Sequence, residues 1–383
     1  MKRSLHRRLT STLLSLTLFA TPAVAATSLE VDAAIEKGKA YLYSVQSPDG
    51  TWETVAKPQP GSGEKYDQAI TGGQFSGMTA MVVYALLSAG EQPSDPKLTR
   101  AIDFLKKTDT PGTYALGLRC QVWLMLPQTP DIKARMQKDA QVLIRTAKAH
   151  GDATGMYDYA FTKGDNYSHS RSQYAVLGVW AAERAGLKVP EAYWSAIEKS
   201  WIRNQDPSGG WSYQRKSQYA VTPGMTAAGV ATLFITQDYV GSSALCRGNV
   251  DSPAINKGMK WMADNMPKVA GTEKYDRAFP YATLYAVERI GVAAGVKYIG
   301  GVDWYQKGAD WLIQRQDKNG AWQGGGLSHI APHQDTAFAM LFLARGRAPL
   351  VMNKLDYSTD PAKPAAWNQR PRDVANVVRW IST

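Results

Sequence analysis

The densest group of side chains able to do chemistry lies in one short loop before an apolar segment. The loop contains Asn166, Tyr167, His169 and Arg171. A histidine can act as a general base, and an arginine can neutralise a carboxylate beside the carbon that loses its proton. A helix that starts here would add an N-terminus, which favours anions. The pattern is also typical of a solvated loop in which Ser170 caps the helix, and both interpretations stay open.

Two histidines and an aspartate near the end of the chain form a second candidate group. His329 and His333 are four residues apart, a spacing that can place two metal ligands on one helical face. Pro332 lies between them and disturbs a regular helix. Asp335 is the one further ligand nearby, whereas a zinc site needs three or four ligands, so we predict neither a metal nor a cofactor. Asp335 is predicted instead to be the N-cap of the last apolar helix.

Charge and missing motifs exclude several classes of function. Four of the +11 formal charges lie in the first 26 residues, which leaves +7 for the rest of the chain. No run of Lys or Arg could follow a phosphate backbone, so we predict no nucleic-acid binding. The sequence contains no Gly-rich phosphate loop, no Gly-x-Ser-x-Gly and no His-Glu-x-x-His. The similar segments 65–67 and 274–277 are interpreted as salt-bridged corners, with a place at the mouth of a cavity as the alternative.

An internal repeat indicates which elements must position these residues. Three segments share the pattern Gln-x-x-x-Gly-x-Trp and begin at Gln46, Gln205 and Gln316. Weaker copies begin at positions 108, 151 and 265, so that neighbouring copies are 43 to 62 residues apart. This spacing suits a repeat of two helices.

Two kinds of helix alternate with the motif. An amphipathic helix precedes each strong copy, and an apolar segment that must be buried on every side follows it. The apolar segments are 78–89, 114–126, 172–185, 225–236, 281–294 and 335–344. We therefore predict an all-α fold, an (α/α)6 toroid of six inner and six outer helices over residues 29–345.

The motif itself is predicted to be structural. Gly50, Gly209 and Gly320 end turn dipeptides, in which glycine takes a positive φ. The Gln amide would satisfy backbone groups at the end of the preceding helix, and the Trp would pack under the turn. Stacking of the Trp on a sugar is the functional alternative.

The Gln-x-x-x-Gly-x-Trp repeats resemble the QW repeats of triterpene cyclases, which are related to the repeats of protein prenyltransferase β-subunits. The resemblance covers roughly residues 30–345 and implies the same helical double ring. Segments 281–291 and 299–305 also resemble a group of exported bacterial proteins that have these repeats and no assigned reaction. In that group, a pattern similar to 345–373 often leads into a further domain.

The catalytic residues of those families are matched only in part. Class II terpene cyclases use an Asp-x-Asp-Asp-Thr-Ala segment whose central Asp protonates an alkene. Here Asp335 is retained, but Pro332 replaces the first Asp and Gln334 replaces the central acid. The Asp-x-Cys part of the prenyltransferase zinc site is absent. The residue types of 166–171 resemble those that some polysaccharide lyases place on a helical toroid.

Both ends of the chain are predicted to lie outside the ring. Residues 1–26 have a positive start, a short apolar stretch and an Ala-Val-Ala cleavage site, which indicates a signal peptide and an exported, periplasmic or extracellular protein. No later segment is apolar enough to cross a membrane. Residues 346–383 are predicted to be a tail with a short C-terminal helix. Cys120 and Cys246 could form one bridge, although an apolar helix around Cys120 is typical of a buried free thiol.

Three functions remain open from the sequence. The first is an exported scaffold that binds an apolar or glycan ligand in a central cavity, or a protein partner at residues 346–383. The others are an atypical terpenoid cyclase and a polysaccharide lyase acting on an acidic glycan. A cyclase needs an aromatic cavity with one buried acid, and a lyase needs Asn166, His169 and Arg171 to converge. A scaffold would have a filled centre and an apolar patch near the tail.

Overall fold

The described part of the chain folds mainly into α-helices. The computed structural model describes residues 25–54, 74–160, 164–215, 220–240, 252–269, 279–324, 330–347 and 377. The helices in these residues are α1 (Ser28–Ser44), α2 (Gly77–Ser88), α3 (Pro96–Lys107), α4 (Thr113–Met125), α5 (Pro130–Thr146), α6 (His169–Arg184), α7 (Glu191–Arg203), α8 (Pro223–Gln237), α9 (Pro253–Val269), α10 (Pro280–Ala294), α11 (Trp304–Arg315) and α12 (Pro332–Arg345). A short antiparallel hairpin joins β1 (Tyr298–Ile299) to β2 (Val302–Asp303). The predicted all-α class is confirmed.

Side-chain caps explain where several helices begin. Thr27 and Glu30 form a capping box at the start of α1. Asp95, Thr129 and Thr222 each accept a hydrogen bond from a backbone N–H in the first turn of the helix that follows. In these last three helices the next residue is proline, whose fixed φ suits the first helical position.

The even-numbered helices form a closed inner ring. α2 packs on α4, α4 on α6, α6 on α8, α8 on α10, α10 on α12 and α12 again on α2. Gly117 allows the close approach of α4 and α6, because a Cβ there would lie 2.2 Å from the carbonyl oxygen of Tyr174. The Gln121 side chain donates to the carbonyl of Leu177 at 2.7 Å. Both contacts join residues at similar distances from the start of each helix, so the two helices run in the same direction.

The odd-numbered helices form the outer layer. α1 packs on α12, α3 on α2, α5 on α4 and α6, α7 and α9 on α8, and α11 on α10 and α12. The predicted double ring is therefore confirmed. The predicted inner segments agree with the observed helices to within about three residues at each end.

The strong motif copies join neighbouring outer helices. Each Gln Nε2 donates to the carbonyl of the Gly in its own motif and to a carbonyl in the first half of the next outer helix. The second bond joins Gln46 to Lys97 at 3.0 Å, Gln205 to Ala254 at 2.8 Å and Gln316 to Ala34 at 2.8 Å. The last of these bonds links α11 to α1 and closes the outer layer.

The Trp of each motif, and not the Gln, satisfies the end of the preceding helix. The indole N–H groups of Trp52, Trp211 and Trp322 donate to carbonyls in the last turns of α1, α7 and α11 at 2.7, 3.0 and 2.8 Å. Our prediction for the Gln amide was wrong because that amide reaches forward to the next helix. The motif glycines have φ of +87°, +97° and +90°, as the predicted turns require.

The weaker copies behave differently from one another. Gly155 has φ +80° and lies against the backbone of α7, so this copy forms the motif turn. Gly112 has φ −73° and is the N-cap of α4, so the copy at 108 does not form the turn. Position 265 lies inside α9. Several predicted features lie outside the described residues: residues 1–24, 65–67 and 274–277, Cys246, His329, and the tail beyond residue 347 apart from 377.

Candidate functional site

One end of the ring carries the motif turns and the starts of the inner helices, and we call it the motif end. Here a side chain at or near the start of an inner helix donates to the carbonyl of the residue after a motif aromatic. Thr113 Oγ1 donates to Asp158 O at 2.6 Å, and Tyr281 OH donates to Gln323 O at 2.9 Å. These bonds tie α4 and α10 to the repeat that follows each of them.

His169 makes the equivalent bond for α6. Its Nδ1 lies 2.7 Å from the carbonyl oxygen of Ser212, and because a carbonyl can only accept, Nδ1 carries the proton. The imidazole packs against Trp201 and Tyr167, with ring centroids 4.8 and 5.9 Å apart. Burial lowers the pKa of His169 to about 4. The ring is therefore neutral at pH 7 and fully enclosed.

Asn166 and Arg171 converge on Asp158, a carboxylate that the sequence reasoning did not select. Asn166 Nδ2 donates to both oxygens of Asp158 at 3.1 Å, and the guanidinium of Arg171 contacts the same carboxylate. Tyr159 donates its backbone N–H to Asp158 at 2.8 Å, and its ring lies 4.2 Å from the Arg171 guanidinium carbon. The arginine charge is therefore balanced within the protein.

The remaining residues of this loop are also held by protein partners. Tyr167 donates its hydroxyl to Asn204 at 2.7 Å and accepts from the backbone N–H of Arg215 at 3.2 Å. The N-cap of α6 is Ser168, whose hydroxyl accepts from the Ser170 N–H at 3.2 Å. The expectation that Ser170 would be the cap is wrong, since the helix begins two residues earlier than the capping pattern indicated. We refer to Asp158, Asn166, Tyr167, His169 and Arg171 as the α6 corner.

The start of α12 also differs from the prediction. The helix begins at Pro332 with Ala331 as its N-cap, so Asp335 lies in the first turn and is not a cap. Asp335 is buried, at 3% exposure, and its charge acts on the hydroxyl of Tyr281. His333 is half-buried, and burial lowers its pKa despite a hydrogen bond with the backbone of Trp52.

Glu53, which directly follows a motif Trp, caps the start of α2 although it is distant from that helix in the sequence. Its carboxylate accepts from the backbone N–H and the hydroxyl of Thr79 at 2.9 and 2.7 Å. Burial raises the pKa of Glu53 more than these hydrogen bonds lower it. Glu53 and Asp158 occupy the same position after a motif aromatic, so the repeat could have identified both as residues of the motif end.

Tyrosine and phenylalanine rings from several inner helices meet inside the ring. Tyr114 and Tyr174 have centroids 5.2 Å apart in an edge-to-face contact, and Tyr285 and Phe338 lie 5.8 Å apart. Burial raises the pKa of Tyr114 to about 12 and is also the main cause of a raised pKa at Tyr285. Tyr84 of α2 lies close enough to raise the pKa of both Tyr174 and Tyr285 further. We call this aromatic interior the lumen.

Three charged residues enter the lumen from α10 and α12. Glu288 is 1% exposed, and its Oε1 lies 3.7 Å from Nε of Arg345. Arg289 contacts the side-chain oxygen of Gln173 on α6. We call Glu288, Arg289 and Arg345 the lumen charges. The sequence reasoning missed them because it treated 281–294 as apolar, although adjacent charges in a helix buried on every side were themselves a signal.

The described part of the chain offers no other obvious chemical centre. None of its helices is both long and apolar enough to cross a membrane. Within the same residues, no three His, Cys, Asp or Glu side chains are grouped in a way that could hold a metal ion. Cys120 is fully buried, and burial raises its pKa well above the usual range.

The closed double ring is the architecture of α/α toroids, and the chain is similar to solved structures of that fold. The type II terpene cyclase MstE from Scytonema, in complex with its substrate geranylgeranyl dihydroxybenzoate, is 14% identical with a TM-score of 0.53 over 83% of this chain and 97% of the cyclase. An α-1,6-mannanase from Salegentibacter is 11% identical with a TM-score of 0.56, over 82% of this chain and 98% of the mannanase.

A possible member of the GH105 family from Salmonella enterica is 11% identical with a TM-score of 0.56, over 88% of this chain and 98% of that protein. These likenesses establish the toroid fold, which terpene cyclase and glycosidase structures share. No family model matches the chain, and no curated protein sequence matches it.

Proposed function

We propose that the mature protein is an exported scaffold that binds a small ligand among the aromatic rings of its lumen. The observation that carries this proposal is the meeting of rings from separate inner helices, seen in the contacts of Tyr114 with Tyr174 and of Tyr285 with Phe338. Such rings offer a large apolar contact area at low conformational cost, and their faces suit both apolar groups and sugar rings. The solved toroids bind a terpenoid substrate in one case and act on a mannan in another.

The contacts of the α6 corner weigh against a lyase. A lyase base must reach substrate, whereas His169 is fully buried and is bonded to the Ser212 carbonyl. The arginine that would neutralise a uronate is already paired with Asp158. A binding role for the lumen needs neither residue to be available.

A cyclase-like reaction is the second candidate, and the buried Asp335 at the start of α12 favours it. Gln334 cannot supply the proton that the matching cyclase position supplies. Asp335→Asn separates the candidates, because it would abolish turnover of a polyprenyl substrate by a cyclase but would leave ligand binding by a scaffold within about twofold.

Native mass spectrometry of the mature protein, purified from the compartment to which it is exported, tests the binding proposal. We expect a small bound molecule that organic solvent releases. In parallel, NMR titration with 2-phenylethanol gives a defined probe of the aromatic lumen. Removal of a ring that contacts the probe should weaken binding by about tenfold.

Two tyrosines form a matched pair for this titration. Both are half-buried and both donate their hydroxyl to a side chain, Tyr114 to Ser170 inside the ring and Tyr43 to Glu91 on the outer layer. Tyr114→Ala should weaken the binding of 2-phenylethanol about tenfold, and Tyr43→Ala should leave it unchanged. A protein that carries no ligand and binds no 2-phenylethanol, or equal losses in the two variants, would overturn the proposal.

Export is part of the proposal and has its own measurement. The sequence before residue 27 has the features of a signal peptide, and α1 begins directly afterwards at Ser28. We expect intact-mass analysis of the exported protein to show a chain starting near Thr27. A chain that retains its first 26 residues would contradict cleavage.

A further inference from the structure

Four inner helices bring polar groups to one place in the lumen. Glu288 and Arg289 come from α10, Arg345 from α12 and Gln173 from α6. The fourth helix, α2, supplies the ring of Tyr84, which lies 5.6 Å from the guanidinium carbon of Arg345. The Arg289 guanidinium lies 5.2 Å from the ring of Tyr285.

Several of these polar atoms are buried without a hydrogen-bond partner. They are Oε2 of Glu288, Nε of Arg289 and Nε of Arg345. A buried donor or acceptor without a partner costs free energy, and native proteins satisfy nearly all such groups. The two guanidiniums therefore keep donor capacity inside the ring, beside a carboxylate that is 1% exposed.

The local charge does not balance. Among the described residues, two positive guanidiniums face one carboxylate, which leaves one unit of positive charge beside aromatic rings. The 3.7 Å separation between Glu288 and Arg345 is too long for a hydrogen bond, so this pair does not use the arginine fully. The Arg345 side chain retains 34% of its accessible surface, so a ligand can reach it.

We propose that Arg289 and Arg345 bind the carboxylate of an amphipathic ligand whose apolar part lies against the lumen tyrosines. Bidentate guanidinium contacts suit a carboxylate, and one negative charge balances the one excess positive charge. Glu288 limits the site by competing with the ligand for the two guanidiniums. The inference deepens the proposed function and rests on it.

Three probes, each with one phenyl ring, distinguish a carboxylate site from an uncharged site and from a phosphate site. Their binding is measured in NMR or calorimetric titrations. Phenylacetate carries a carboxylate, 2-phenylethanol carries no charge and phenyl phosphate carries a dianion at neutral pH. We expect phenylacetate to bind at least about tenfold more tightly than either of the others. A preference for phenyl phosphate would overturn the carboxylate assignment.

Two variants test the assigned residues. Arg345→Met should weaken phenylacetate binding about tenfold and leave 2-phenylethanol unchanged. Arg315→Met is the matched control, because Arg315 also lies over an aromatic ring, that of Trp311 at 4.4 Å, but on outer helix α11. It should change neither affinity.

Glu288→Gln distinguishes a ligand site from an internal ion pair by the sign of its effect. If Glu288 competes with the ligand, the amide variant binds phenylacetate at least about threefold more tightly. A lower melting temperature with unchanged or weaker phenylacetate binding would overturn the inference. Equal binding of phenylacetate and 2-phenylethanol would sink the anion site alone, whereas no binding of either would sink the proposed function as well.

Discussion

The α6 corner and the lumen charges each contain arginine and a buried carboxylate, but they differ in how fully the carboxylate is matched by hydrogen-bond donors. In the α6 corner, Asp158 accepts from Asn166, from a backbone N–H and from the Arg171 guanidinium. Among the lumen charges, Glu288 keeps one oxygen without a hydrogen-bond partner and lies 3.7 Å from its nearest arginine nitrogen.

This difference separates structural polar groups from groups available to a ligand. The α6 corner is rich in polar residues because it must hold the start of an inner helix against the next repeat. Among the lumen charges, the hydrogen bond from Arg289 to Gln173 joins α10 to α6, whereas Glu288 and Arg345 lie too far apart to form one with each other. Density of polar residues in a sequence is therefore a weaker guide to a site than a buried carboxylate that lacks hydrogen-bond donors in the structure.

The largest effect on stability is expected when the ion pair between Asp158 and Arg171 is broken. Asp158→Asn leaves the buried Arg171 guanidinium without its counter-charge and should reduce the free energy of unfolding by about 3 kcal/mol or more. Urea unfolding measures this change. Asp103→Asn is the control, because Asp103 is a partly exposed partner of Lys106 at 3.8 Å, and it should cost less than about 0.5 kcal/mol. Similar small losses in both variants would show that the α6 corner is not a stability element.

His169 gives the α6 corner a dependence on pH. Its folded pKa of about 4 lies below the value of 6.5 for a free histidine, so between these values the unfolded chain binds a proton that the folded protein does not. Stability is then present above pH 6.5 and is lost as the pH falls towards 4. Between pH 7 and pH 5 this loss is about 2 kcal/mol.

Urea unfolding at both pH values measures this contribution in two variants. His169→Asn removes the titrating ring, so its fall in stability should be about 2 kcal/mol smaller than that of the natural protein. His150→Asn changes an exposed histidine and should follow the natural protein. An unchanged pH dependence in His169→Asn would mean that the imidazole is not buried in its neutral form.

The smallest effect is expected among the lumen charges. Glu288→Gln removes a carboxylate whose pKa is raised by burial more than the two arginines lower it. The gain from not burying a charge offsets the loss of a long ion pair, so the free energy of unfolding should change by less than about 1 kcal/mol. Urea unfolding of Glu288→Gln and Asp158→Asn under the same conditions compares the two changes in the free energy of unfolding. A loss as large as that of Asp158→Asn would place the two clusters in the same structural class.

Most of the fold could be predicted from the sequence, because the same turn motif and the same alternation of helices recur along the chain. Gly50, Gly209 and Gly320 fix the turn wherever they occur, and the apolar segments after them identify the inner helices. The prediction failed at the second copy, where Gly112 caps a helix. Neither of the weak copies at 108 and 151 has both the Gln and the Trp, yet Gly155 forms the turn and Gly112 does not, so the glycine alone does not specify it.

The candidate site could be predicted less well, because the role of each polar residue depends on hydrogen-bond partners that are distant in sequence. The sequence suggested that His169 is a base, but in the structure its Nδ1–H donates a hydrogen bond to the carbonyl of Ser212, 43 residues away. Asp335 looked like a cap until the helix was found to begin at Pro332. Glu288 and Arg289 lie in an otherwise apolar segment, and these two charges were the feature of the sequence that indicated a polar site in the lumen.

Calorimetric titration of phenylacetate into the natural protein, Arg345→Met and Asn166→Ala tests most directly whether ligand contacts lie with the unmatched charges. We predict that Arg345→Met weakens binding about tenfold and that Asn166→Ala leaves it within about twofold. Binding that survives in Arg345→Met and disappears in Asn166→Ala would place the ligand at the α6 corner and contradict the account.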